Sequence, residues 1–349
     1  MANDRMNFNF TNKRYIVIFT CLSLFCFLGV STSSGNDGYL GMSLPANFKA
    51  FSRSSPWNTP IPENPEIDPF SGWMIEYLKK KAGSLVGNIR KWTIPVHVID
   101  SERSPKVDVK SSNGYLYHTV DPDEDGIAEG LPIPEGVWSD PERDGHMVLV
   151  DPGKRKSWEF APAKKMRDGT WIAGNIDVWD LDGPGFRRAF SGKYWWTIGA
   201  TSSGLPLIGG LIRPEEIQAG EIKHALLFAA PVNRKTTYPG GKPQVCLPGA
   251  RTDGTGIGFQ YIPLGARMQL DPAIDLDSLN LSPASRIVAR AMQKYGMFNV
   301  MTTHRDFVVY FQNLGSDGGI WKRYNLFDDL KNIPIESFRV LKCRIVTEP

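Results

Sequence analysis

Histidine and cysteine are scarce in this chain, and neither charge sign dominates. Five histidines are present, His97, His118, His146, His224 and His304, so any imidazole chemistry must draw on these. Of four cysteines, Cys21 and Cys26 fall in an apolar stretch near the N-terminus, and only Cys246 and Cys343 lie beyond it. An even pair suits an oxidising compartment, either as one disulfide or as two buried thiols. Lys and Arg number 40 against 37 Asp and Glu, a net charge of +3. Arg5, Lys13 and Arg14 against Asp4 supply +2 of this in the first 34 residues, which leaves +1 for the rest. So even a balance excludes the basic face that nucleic-acid binding requires. Beyond Val30 no run is long and apolar enough to span a bilayer, which needs about 20 residues. No cysteine closes the N-terminal apolar run, which excludes a lipoprotein, and no alternation of strands with long helices suggests a doubly wound fold.

What is present begins with a targeting layout. Lys13 and Arg14 precede the apolar stretch Tyr15–Val30, and small residues follow in VSTSSG. Residues 1–34 therefore read as a signal peptide or, uncleaved, an N-terminal anchor, the chain's one expected contact with a membrane. The expected location is secreted or periplasmic. Residues 35–70, rich in Gly, Ser, Asn and Pro, read as an extended surface arm anchored by Trp57. Residues 71–349 read as a single β-rich domain. Helices are expected over 71–82, with Ser71 as cap and Gly83 as stop, and after Ser282–Pro283, closed by Gly296. Between them, short β-branched and aromatic runs such as PVHVI, HMVLVD and HALLFAAP recur between Gly, Pro, Asp and Asn turn signals. The pattern predicts a mainly β fold, an antiparallel, jelly-roll-like β-sandwich with a few short helices.

The densest segment runs from Ala200 to Pro231, ATSSGLPLIGGLIRPEEIQAGEIKHALLFAAP. Ser202 sits in a small-x-Ser-x-Gly turn, but the helix that a nucleophile elbow needs next is absent, so a turn role is expected. Pro214 suits the first turn of a short helix closed by Gly220, and Glu215 and Glu216 favour its positive end. Arg213 could fork onto a carboxylate, internal or on a substrate. His224, His146 and His97 each sit on or at the start of a strand, and convergence on one concave face would make a site of them. Asp144 and Asp253 complete the acid–base pool with Glu215 and Glu216. Trp179, Trp195, Trp196 and Tyr194 crowd one region, offering indole faces to sugar rings or filling a core. Asp121, Asp123, Asp125 and Gly126 open like a calcium loop. The twelfth position is Pro132 rather than Glu, so an EF-hand is excluded and a looser calcium site is the remaining cofactor expectation.

SGLPLIGGLIRPEEIQAGEIKHAL, RTDG at 251–254, LGARMQLDP at 264–272 and LNLSPASRIVARAMQKYG at 279–296, with SPWN at 55–58, resemble a family of exported, largely uncharacterised bacterial β-rich proteins. A more distant likeness to jelly-roll polysaccharide-active enzymes is architectural. Together these features lead to an exported carbohydrate-active protein, a polysaccharide lyase or glycoside hydrolase. The alternative is a non-catalytic cell-envelope or carbohydrate-binding protein. The expected catalytic residues are His224, His146, Tyr310, Glu215 and Asp144; Arg213, Trp179, Trp196 and Asp253 are expected to bind substrate. In a lyase, a His or Tyr base would take the proton beside a uronate carboxyl group that Arg213 neutralises.

Overall fold

Side chains alternate along a strand, and here several strands are apolar on both sides. In Ile94–Ile99, Ile94, Val96 and Val98 face one way while His97 and Ile99 face the other, and all are buried. Such strands lie inside layers. The computed structural model describes residues 37–45, 47–315 and 319–349. The expected signal segment lies outside the described residues.

The first sheet runs from edge to edge as Tyr39–Gly41, Ile94–Ile99, Met147–Asp151, Lys156–Lys165, Trp171–Asp180, Lys106–Ser111 and Ile127–Pro132, with Gln312–Asn313 also pairing onto Ile94–Ile99. The second runs Phe338–Val340, Arg267–Leu270, Met297–Thr303, Leu226–Pro231, Phe307–Tyr310 and Leu85–Asn88. Their facing sides share one core. Val96, Val98, Val148 and Val150 of the first sheet meet Leu227, Ala229, Phe298 and Val308 of the second.

The fold is mainly β, as expected, but the pairing is mixed rather than antiparallel. Ile94–Ile99 pairs parallel with Met147–Asp151, and Lys106–Ser111 with Trp171–Asp180. In the second sheet, Leu226–Pro231 pairs parallel with Met297–Thr303, and Leu85–Asn88 with Phe307–Tyr310. Parallel neighbours need long connections, and the chain makes them by sending intervening segments elsewhere. Residues 100–146, for example, first build the far edge of the first sheet.

Helices cover the outer side of the second sheet. The helix Pro283–Lys294 starts as expected: Ser282 Oγ accepts from the Ser285 N–H at 3.3 Å, a cap of the kind that contributes about 1 kcal/mol. Val288, Ala291 and Met292 bury against the core it shares with Met268 and Leu270. Ser71–Ala82 begins one residue earlier than a Ser71 cap would give, because Ser71 Oγ instead accepts from the Val340 N–H at 2.9 Å. Gly83, at φ 71°, ends it.

Residues 37–70 contribute an edge strand, Tyr39–Gly41, and bury Leu44, Phe48, Phe51 and Trp57 in the inter-sheet core. Trp57 is fully buried, and its Nε1–H donates to the Gly185 carbonyl at 2.8 Å. Its seat explains the paired glycines of GLPLIGGL. A Cβ on Gly209 would come within 2.8 Å of the indole, and one on Gly210 within 2.7 Å. A Cys246–Cys343 disulfide ties the middle of the chain to its C-terminal strand across 97 residues. Among the described residues no helix is long and apolar enough to cross a membrane.

Candidate functional site

Two cavities open at different places along Ala200–Pro231. The first, about 400 Å³, is lined by Phe48, Lys49, Arg213, Glu216, Lys223 and His224 among others. The second, about 420 Å³, is lined by Arg143, Asp144, His146, Ser202, Arg251 and Asp253 among others. The expected single cleft holding Arg213, His224, His146 and Asp253 is therefore two. An Arg213 guanidinium in one cavity cannot neutralise a substrate carboxyl group over His146 in the other.

The first cavity is organised by a short helix, Pro214–Ala219, closed by Gly220 at φ 79°. Glu216, in its first turn, reaches back to accept from the Arg213 N–H at 3.1 Å. Its other oxygen accepts from Arg213 Nη2 at 2.8 Å and lies 2.8 Å from His224 Nε2. Arg213 Nη2 also donates to the Phe48 carbonyl, and the guanidinium lies 5.2 Å from the Phe48 ring centre. Arg213 and Glu216 are 3% and 5% exposed. Burial alone would push the Glu216 carboxyl up, but the charges of His224 and Arg213, with their hydrogen bonds, bring it down to about 2. His224 is thus held against the Glu216 carboxylate that Arg213 also binds. Glu215 lines neither cavity and accepts from Ser43 Oγ at 2.5 Å.

The second cavity forms where three loops meet. The turn Thr201–Gly204 closes on itself, and its Ser203 carbonyl accepts from the N–H groups of Ala250 and Arg251. Arg251 then spreads its guanidinium over the Ile198 and Trp196 carbonyls, each at 2.7 Å. Asp253 accepts from Ser202 Oγ at 2.5 Å and from Thr302 Oγ1 at 2.9 Å. Ser202 is therefore bonded directly to an aspartate with no histidine between them, unlike a Ser–His–Asp relay.

His146, immediately before the strand Met147–Asp151, is 4% exposed. Its Nδ1 is buried without a partner. Burial pushes its pKa down to about 4, with the charge of Asp140 opposing. It is neutral at physiological pH. The Asp144 carboxyl is raised by desolvation, against the pull of Arg143. Burial lowers Arg251 to about 10, against the charge of Asp253. The cavity thus combines a neutral imidazole, a carboxyl that holds its proton more tightly than usual, a hydrogen-bonded carboxylate and a guanidinium. Such a set suits proton transfer.

Several expected residues take other places. His97 is fully buried, its Nε2 lying 2.8 Å from the Trp138 carbonyl, and His224 precedes a strand of the second sheet, so the three histidines do not converge. Tyr310 is 4% exposed in the inter-sheet core, and burial, with the charge of Asp144, raises its phenol well above the ordinary value. It cannot serve as a base at neutral pH. Trp179 is 2% exposed, packed edge-on to Phe51 and under the Arg187 guanidinium at 4.5 Å. No sugar ring reaches it. Trp196 differs: it is 43% exposed and clusters with Tyr115 and Tyr194, ring centres 6.3 and 5.5 Å away. Arg251, bonded to the Trp196 carbonyl, links this aromatic surface to the second cavity.

Asp121, Asp123 and Asp125 bring one carboxylate oxygen each within 4.8 Å of one another, close enough to hold a metal ion. Both Asp121 oxygens already accept backbone N–H groups, from Asp125 and Gly126. No protein-family model, curated protein or solved structure matches this chain.

Proposed function

We propose that this is an exported carbohydrate-active enzyme that cleaves polysaccharide at the His146 cavity. The observation that carries the reading is the presence of Asp144, His146 and Asp253 around one cavity, with Asp144 raised and His146 neutral. Glycoside hydrolysis needs two carboxyl groups in different protonation states. Asp144 is suited to protonate the glycosidic oxygen, and Asp253 to receive the proton of an attacking water or to attack itself. The exposed Tyr115–Tyr194–Trp196 surface would seat neighbouring sugars, stacking their C–H faces on the rings. We read the two-sheet body as a jelly-roll-like sandwich with parallel departures, and Asp121, Asp123 and Asp125 as a site for calcium, a hard cation suited to carboxylates.

A lyase reading rests on one feature, the unpartnered neutral His146, which could take a proton beside a uronate carboxyl group with Arg143 or Arg251 nearby. Incubation with neutral and acidic polysaccharides separates the two. Hydrolysis releases reducing ends without new ultraviolet absorbance, whereas elimination produces an unsaturated, absorbing uronate. Asp144→Asn and His146→Ala should each lower turnover by about 10²–10⁴-fold. Binding without turnover, unchanged in both variants, would favour a non-catalytic binding protein instead.

A further inference from the structure

The first cavity holds a buried guanidinium with an unmade hydrogen bond. Among the described residues, Glu216 is the one carboxylate bonded to both Arg213 and His224. His224 has a carboxylate oxygen on one ring nitrogen and the Ala225 carbonyl on the other, at 2.8 and 2.9 Å. A guanidinium and an imidazole therefore share one carboxylate. Arg213 is 3% exposed, and its Nη1 is buried with no hydrogen-bond partner. An unmade hydrogen bond from a buried cation is costly. The cavity beside the cluster is roomy, about 400 Å³, and Lys49 and Lys223 stand on its lining. Lys223 is paired with Glu221 at 3.0 Å, while Lys49 has no carboxylate partner among the described residues.

We propose that this cavity binds the carboxylate of an acidic sugar, a uronate unit, with Arg213 Nη1 as the buried donor and Lys49 as the outer one. A carboxylate supplies an acceptor for Nη1 and a partner for Lys49, and a pyranose ring fits the remaining volume. The site is separate from the His146 cavity and stands whether or not catalysis occurs there. On a polymer-active protein it would make one stretch of chain, Ala200–Pro231, recognise acidic residues at one place while another place acts on the links between them.

Equilibrium binding to the full chain tests this, read by calorimetry with glucuronate and galacturonate, glucose as the neutral control and inorganic phosphate as a non-planar anion. The His146→Ala variant should bind uronate as the wild type does, so failure of the catalytic reading leaves this result intact. Uronate should bind and glucose should not. Arg213→Lys should weaken uronate binding about tenfold or more, the scale of one charge-assisted hydrogen bond. Should that variant fail to fold, Lys49→Glu on the cavity lining serves in its place, with the same direction expected. Uronate binding that is absent, equal to that of glucose, or unchanged in the folded variant would overturn the proposal. Phosphate binding without uronate binding would overturn the carboxylate assignment.

Discussion

Replacing Glu216 by Gln tests the ion network directly. The substitution keeps shape and removes one negative charge from a site where Arg213 is 3% exposed. It also sets an amide N–H₂ group against donors, either the Arg213 N–H or the cluster of Arg213 Nη2 and His224 Nε2. Removing one partner of a buried ion pair costs roughly 3–5 kcal/mol. For the 37–349 unit, an unfolding entropy of about 2.1 cal/mol/K per residue converts each kcal/mol into about 1.5 °C of Tm. A loss near 4 kcal/mol therefore lowers Tm by about 6 °C at pH 7. The folded-state value of Glu216, about 2, lies below its unfolded value of 4.5. Its stabilisation is thus present above pH 4.5 and lost as the pH falls towards 2. Thermal unfolding of both proteins from pH 7 down to pH 3 should show a gap that narrows on acidification. A variant within about 1.5 °C of wild type at pH 7, or a gap that stays constant with pH, would refute the network.

Glu159→Gln should act in the opposite pH direction. Burial pushes Glu159 up to about 8 against the N–H groups of Ile208 and Leu207, so wild-type stability is full below pH 4.5 and declines as the pH rises through 8. The variant should remove that decline in denaturation series between pH 5 and 9, and an unchanged slope would contradict it. Cys343→Ser opens a loop spanning 97 residues and should cost about 4–5 kcal/mol in denaturant unfolding. Reductant should bring wild type to the variant's level, and a wild type indifferent to reductant would count against a stabilising bridge. Trp196→Ala should weaken retention in polysaccharide-loaded gels by roughly threefold to tenfold at unchanged Tm. Trp73→Ala, at a more exposed ring on the Ser71–Ala82 helix, should not; equal effects would remove the Tyr115–Tyr194–Trp196 surface from sugar binding.

Local features were legible in the sequence where local chemistry decides them. Ser282, Pro283 and Gly83 mark helix ends through backbone groups within a few residues, and the Arg213–Gly220 turn follows from proline and glycine alone. The mixed pairing was not legible, because turn signals show where strands stop and not which strand lies alongside. Burial misled in both directions. Trp179 and Trp196 look alike in sequence, yet one lies under Arg187 in the core and the other faces solvent. Glu159, in SWEFAPA, was missed. Its one signal is a carboxylate among apolar neighbours in a strand, and its partners, Leu207 and Ile208, lie almost 50 residues away. The Ser202–Asp253 bond and the approach of Phe48 and Lys49 to Arg213 depend likewise on contacts between distant parts of the chain.

The stretch from Ala200 to Pro231 serves both cavities because its middle is fixed. Leu205, Leu207, Ile208 and Leu211 are buried between the sheets. The Glu159 carboxyl accepts from the N–H groups of Leu207 and Ile208 at 2.6 and 2.9 Å, satisfying backbone donors that the apolar surroundings cannot. Gly209 and Gly210 lie against Trp57, so the chain cannot shift there without striking the indole. Held in this way, the segment projects Ser202 from one end and Arg213 from the other. The separation that broke up the expected single cleft is therefore a property of the core, set by one buried carboxyl group and one tryptophan.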